Sequence, residues 1–159
     1  MDSRRLEDCR FCSESRLAAE FAASASFRAV CNLAPILPGH SLITPKHHIE
    51  SLLELSDAEL CELMIFSRSM VRLLLRAFNA EAFNWTIQEG AAAGQTVSHL
   101  HLHLIPRESG DLKRPGDWYP LLRQSEPQLL DSTSRNRLTP AEIKQIVSYF
   151  KGVMAELED

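Results

Sequence analysis

The run Val97-Ser98-His99-Leu100-His101-Leu102-His103-Leu104-Ile105 constrains this chain more than any other segment. Polar and apolar side chains alternate there one for one, which is the period of a strand and not of a helix. The pattern predicts a strand over 97–105, closed by Pro106, which removes a ladder donor. Leu100, Leu102 and Leu104 then face a core, while His99, His101 and His103 share the opposite face. Three imidazoles in a row are a poor device for stability, because every ring nitrogen needs a partner or water. The other three histidines, His40, His47 and His48, also sit close together. Such clustering points to a functional site.

The remaining segments supply a scaffold for that strand. Residues 27–33 alternate like a half-buried strand, Pro35 and Pro38-Gly39 force a turn, and His40–Thr44 reads as a second strand. Ser56-Asp57-Ala58-Glu59 is a capping-box sequence and opens a long helix to Phe78 or Asn79. Its expected apolar face is Leu60, Met64, Val71, Leu74, Leu75 and Phe78. Asn84–Gln88 is a third short strand. Residues 108–137 read as an irregular segment with room for a short helix; Arg107 just before it and Lys113, Arg114 and Trp118 within it are candidates to reach a ligand or a second subunit. Thr139-Pro140-Ala141-Glu142 is a second capping box, opening a terminal helix over 138–158. Strands, helix, strands, helix imply an α+β class with an antiparallel sheet.

Composition limits what such a domain can do. With 159 residues, 45% of them hydrophobic, the chain suits one domain, 1–159. Its net charge of −4 and lack of any Lys/Arg run disfavour nucleic acid as a partner. The start of the chain has no apolar signal-like stretch, and Met70–Phe78 is broken by Arg72 and Arg76, so no membrane span and a cytoplasmic location are expected. In that setting Cys9, Cys12, Cys31 and Cys61 are expected as thiols or metal ligands rather than a disulfide framework. Cys31 and Cys61 read as buried thiols.

Two chemistries could use histidines on a strand. Three same-face residues span roughly 13 Å by strand rise, too far for all to reach one ion easily. Alternatively, one imidazole attacks phosphorus while its neighbours orient it, and the phosphoramidate formed is labile to water. The segment Ala93-Gly94-Gln95-Thr96-Val97-Ser98 favours the second, since a glycine, an amide and two hydroxyls precede the histidines and suit phosphate oxygens. The middle histidine, with a neighbour on each side, is the natural nucleophile.

The stretch Gly94-Gln95-Thr96-Val97-Ser98-His99-Leu100-His101-Leu102-His103-Leu104-Ile105-Pro106-Arg107 resembles the signature of the histidine triad superfamily, His-φ-His-φ-His-φ-φ with φ apolar. The likeness extends through Gln88-Glu89-Gly90, Pro38-Gly39-His40 and Asn32, roughly residues 9–107. It implies an antiparallel sheet of about five strands with one long central helix and a C-terminal helix. It also implies a nucleotide hydrolase or transferase acting on dinucleoside polyphosphates or related adenylates, with nucleoside phosphoramidase, phosphorylase or a nucleotide-binding regulatory role as alternatives. Members are usually homodimers with a shared sheet.

Residue by residue, the resemblance makes His101 the nucleophile and His103 the residue whose backbone carbonyl orients it. His99 and His40 match site-lining histidines, and Gln88 an amide near the leaving phosphate. Gln95, Thr96 and Val97 match the phosphate-contacting segment, Asn32 a ribose ligand, and Val30 and Leu42 the neighbours of the base. Gln88 and Gly94-Gln95-Thr96-Val97 resemble the fragile histidine triad branch. Cys9-Arg10-Phe11-Cys12 by itself could be redox-active, packed or metal-binding, but with Pro45-Lys46-His47-His48 it resembles bacterial-type members that hold a structural zinc. Here those ligands would be Cys9, Cys12, His48 and His99, a closed Cys2His2 set, with His47 facing solvent or the other side of its segment. The cysteine pair departs from the fragile histidine triad pattern.

Overall fold

The structure, a computed structural model, describes residues 9–12, 18–125 and 137–158. Among the described residues five strands and three α-helices follow in the order β1 (Glu20–Ala23), β2 (Phe27–Cys31), β3 (Ser41–Pro45), α1 (Asp57–Phe78), β4 (Ala82–Ile87), β5 (Leu102–Arg107), α2 (Trp118–Ser125) and α3 (Pro140–Glu158). They form one antiparallel sheet with strand order β1-β2-β3-β5-β4. The expected α+β arrangement with a long helix and a C-terminal helix is present. Strand β1 carries too little alternation in Glu20-Phe21-Ala22-Ala23 to be read from sequence, and a bulge at Phe21 disturbs it further.

Both capping boxes form. Ser56 Oγ accepts from Glu59 N–H while Glu59 Oε2 accepts from Ser56 N–H, and Thr139 and Glu142 repeat the exchange. Helix α1 ends at Asn79, whose left-handed backbone (φ 50°) returns its N–H to the last turn. The buried face of α1 is Leu63, Phe66, Ser67, Met70, Val71, Leu73 and Leu74. Met64, expected on that face, is exposed, as is Ile65. The sequence offers two overlapping apolar stripes early in the helix, and the sheet and α3 choose between them. Phe150 of α3 is fully buried, edge-on to Phe21 at 4.6 Å and to Phe78 at 5.9 Å, so β1, α1 and α3 share one cluster.

The strand expected at 97–105 is shifted. Strand β5 pairs with β3 only from Leu102 to Leu104 and runs on through Pro106 to Arg107 beside β4. Pro106 is tolerated because the β3 side of β5 is already unpaired there. At the other end β3 stops at Pro45, so Leu100 N–H bonds instead to Ile49 C=O at 2.6 Å. His99 and His101 therefore lie on the approach to the strand rather than inside it. Residues 126–136, part of the expected irregular segment, lie outside the described residues, whereas α2 is the short helix foreseen within it.

The turn before β3 shows how closely the frame fits around the site. Gly39 has φ +78°, and a Cβ there would overlap the Phe78 ring and stand 2.8 Å from Pro106 Cγ. Gly39→Ala combines a left-handed backbone with overpacking and should lower unfolding free energy by roughly 2–4 kcal/mol. A denaturant midpoint unchanged from the parent protein would refute this account of the turn.

Candidate active site

The ladder places the site residues in rows. Val30 pairs with Leu42, Leu42 with His103, and His103 with Thr86, so these four side chains stand side by side on one face. Ala29, Ile43, Leu102 and Ile87 form the next row on the other face. Continuing the β4–β5 register one residue beyond Ile87 and Leu102 sets Gln88 against His101. Val30, Leu42, Gln88 and His103 are all buried.

His101 is held from its own chain. Its Nδ1–H donates to the His99 carbonyl at 2.8 Å, which leaves the lone pair of the neutral ring on Nε2. The carbonyl that orients it thus belongs to His99, not to His103 as the resemblance suggested. The reason is geometric: along an extended chain an imidazole Nδ1 reaches back to the C=O two residues before it. The ring itself packs against His103, edge-on at 5.0 Å, and against Phe11, tilted 31° at 5.1 Å.

His103 is the end of a relay. Ile36 N–H donates to His40 Nδ1 at 3.3 Å, so a neutral His40 carries its proton on Nε2 and donates it to His103 Nδ1 at 3.0 Å. His103 then carries its own proton on Nε2, where it has no hydrogen-bond partner among the described residues. Burial, reinforced by His40 and His101, holds the His103 pKa well below the ordinary histidine value, so the ring stays a neutral donor. The Asn32 amide lies against the His40 ring, 3.2 Å from Nε2, while its Oδ1 accepts from Ala34 N–H at 3.0 Å. Both amide atoms of Gln88 also lack partners among the described residues. Buried donors and acceptors left open beside one imidazole suit a polar ligand that completes them.

The loop ahead of the histidines is shaped by its own side chains. Gln95 Oε1 accepts from Gly90 N–H at 2.7 Å and its Nε2 donates to Glu50 C=O at 3.2 Å. Glu89 accepts from Ser51 Oγ and Leu52 N–H. Gln95 therefore braces the loop, while Thr96 is exposed and Val97 half-buried. Arg107 is committed elsewhere: it grips Asp111 with two hydrogen bonds and also binds Asn84 and the Pro115 carbonyl. It ties β5 to the following loop and is not available to a ligand.

Cys9, Cys12, His48 and His99 converge as expected, with one donor atom from each lying within 4.8 Å of the others. His99 Nδ1 is 3.3 Å from Cys9 Sγ and 3.6 Å from Cys12 Sγ, and His48 Nδ1 is 3.6 Å from Cys12 Sγ. Sulfur and nitrogen ligands of one tetrahedral zinc stand about 3.6 Å apart, so the set fits such an ion. The outer contacts agree: His99 Nε2–H donates to Pro45 C=O at 3.2 Å, directing the Nδ1 lone pair inward. Burial, then the hydrogen bond to Cys9, pushes the Cys12 thiol up to about 11, and burial pushes His99 down to about 4. A cation here would displace the thiol proton and meet a neutral imidazole. His47 is exposed beside Glu59. Cys31 is buried as expected, but Cys61 is exposed, because it lies on the outer side of α1.

Residues 19–110 match the family model described as HIT domain. The chain belongs to the HIT family. Among HIT relatives it is 40% identical over 101 residues to the asymmetrical bis(5'-nucleosyl)-tetraphosphatase of Schizosaccharomyces pombe, covering 64% of this chain and 56% of that protein. It is 34% identical over 101 residues to the bis(5'-adenosyl)-triphosphatase of Dictyostelium discoideum (63% and 68%), and 34% identical over 110 residues to the AP-4-A phosphorylase of Mycobacterium tuberculosis (67% and 54%). The match thus spans little more than half the length of the first and last of these. A zinc-bound histidine triad protein from Mycobacterium smegmatis shares the HIT fold, with a TM-score of 0.70, 21% identity and coverage of 96% of this chain and 97% of that one. Phe11 and the His99 carbonyl are the parts of this HIT site that motif matching overlooked. Only the place of Phe11 between two metal-type cysteines hinted at the first.

Proposed function

We propose that this chain cleaves dinucleoside polyphosphates or related adenylates at the α-phosphate through a nucleotidyl-histidine intermediate on His101. The observation that carries the reading is the His101 ring, turned by the His99 carbonyl so that Nε2 bears the lone pair. Nε2 attacks the α-phosphorus, forming the N–P bond as the P–O bond to the remaining phosphates breaks. The leaving nucleotide takes that electron pair. Water then attacks the same phosphorus and gives up a proton to solvent, the N–P electrons return to Nε2, and a nucleoside monophosphate departs. His103 Nε2–H and the Gln88 amide supply donors for the phosphoryl oxygens, and His40 holds His103 in the donating tautomer. Asn32 serves the ribose, Val30 and Leu42 the base, and the loop from Gln95 to Val97 the phosphates. HIT relatives named for nucleosyl tetraphosphate and triphosphate cleavage support the substrate class. The M. tuberculosis relative favours a second reading in which inorganic phosphate replaces water.

Cys9, Cys12, His48 and His99 would hold a structural zinc ion, closed to substrate because all four positions are protein ligands. No helix among the described residues is long and apolar enough to cross a membrane. A second copy of the chain is the expected partner. It would join at edge strand β4, where Phe83 is exposed.

His101→Asn should reduce turnover of diadenosine tri- and tetraphosphate at least about a thousandfold while nucleotide binding persists. Full turnover by that variant would exclude His101 as nucleophile, and the nucleoside diphosphate formed only with added phosphate would identify the phosphorolytic reading. Elemental analysis of protein purified without chelators should find about one zinc per chain; a metal-free, fully folded product would reject the ion. Light scattering should give twice the chain mass, falling to one chain mass in Phe83→Lys. A monomeric parent protein would dismiss the shared edge.

A further inference from the structure

We infer that Phe11 is a positioning residue for His101, and that the Cys9-Arg10-Phe11-Cys12 turn makes the state of the metal-type cluster felt at the nucleophile. This rests on the reading of His101 given above but concerns a different part of the chain. Two physical links join the cluster to that ring. One is His99, whose Nδ1 faces Cys9 and Cys12 while its carbonyl holds His101 Nδ1–H. The other is Phe11, whose ring touches both His99, at 5.5 Å, and His101, at 5.1 Å.

The hydrogen bond at Nδ1 fixes one corner of the imidazole, and packing against its ring decides how far Nε2 can swing about that contact. His103 packs against the ring from within β5. Phe11 packs against it from a segment 90 residues away in sequence. Phe11 is 4% exposed although it belongs to no strand or helix. Its position is set by a tight turn, Cys12 N–H to Cys9 C=O at 3.0 Å, whose two thiols lie against His99 and His48. Ligation of both cysteines would lock that turn and press the ring onto His101. Loss of ligation would free the turn and let the nucleophile wander, and a displacement near 1 Å is enough to slow a positioned reaction about a hundredfold.

The test uses the full-length protein with Phe11→Ala, Phe11→Leu, Cys9→Ser and the Phe11→Ala/Cys9→Ser double variant. Phe11→Ala should bind zinc like the parent protein yet form the covalent intermediate in a single turnover about ten- to a hundredfold more slowly, with Phe11→Leu restoring most of the rate. Cys9→Ser should lose zinc and show a similar slowing. The double variant should be no slower than Cys9→Ser, because both changes remove the same constraint. Nitrogen-15 shifts of His101, recorded without substrate, should show its Nδ1–H tautomer averaged in Phe11→Ala and in chelated parent protein, and fixed in the zinc-loaded parent. Equal rates and a fixed tautomer in Phe11→Ala would overturn the inference, and so would effects of the two single variants that multiply. Parent protein inactive on every dinucleotide would refute the proposed function instead, and the nitrogen shifts would still decide the role of Phe11.

Discussion

The hydrogen bond from His101 Nδ1–H to the His99 carbonyl is the contact on which the site depends. It selects the tautomer, so it decides which ring nitrogen carries the lone pair. It also requires the His99 carbonyl to be free of sheet pairing. That carbonyl faces away from the Leu100 N–H of its own peptide, toward the side where the β4 ladder ends at Ile87 and Leu102. Leu100 N–H is held by Ile49. A continuous strand would have engaged these main-chain groups in regular pairing. The break in the strand is therefore part of how the site works.

Around that bond the fold assembles two polar networks of different character. The Ile36–His40–His103 relay is a chain of neutral donors and acceptors, buried and ending on an N–H with no partner among the described residues. The Cys9, Cys12, His48 and His99 cluster has the donor set and spacing of a closed metal site. His99 belongs to the cluster through its ring and to His101 through its backbone. One residue can serve both because its side-chain and main-chain groups point in different directions, which period-two reasoning about faces does not resolve.

Much of the scaffold was legible because its causes are local. The capping boxes at Ser56 and Thr139 form as written, since a hydroxyl and a carboxylate three residues apart need only each other and the adjacent N–H groups. What misled was each feature whose outcome lies with a distant neighbour. Met64 is exposed because the sheet and α3 chose a different stripe of α1. Arg107 is engaged because Asp111, Asn84 and Pro115 surround it.

From its sequence alone this chain determined its HIT membership, the identity of the histidines and the four metal-type ligands. Spacing and residue chemistry suffice for those, since the donor atoms must come from these side chains wherever they meet. Only the tertiary structure decided that the triad run enters its strand late, that His99 rather than His103 lends the carbonyl, and that Phe11 packs against the His101 ring. Each of these depends on where another segment ends or packs: β3 at Pro45, the residues around Ile49, and the turn between Cys9 and Cys12. Periodicity along one strand carries no information about when its neighbour stops.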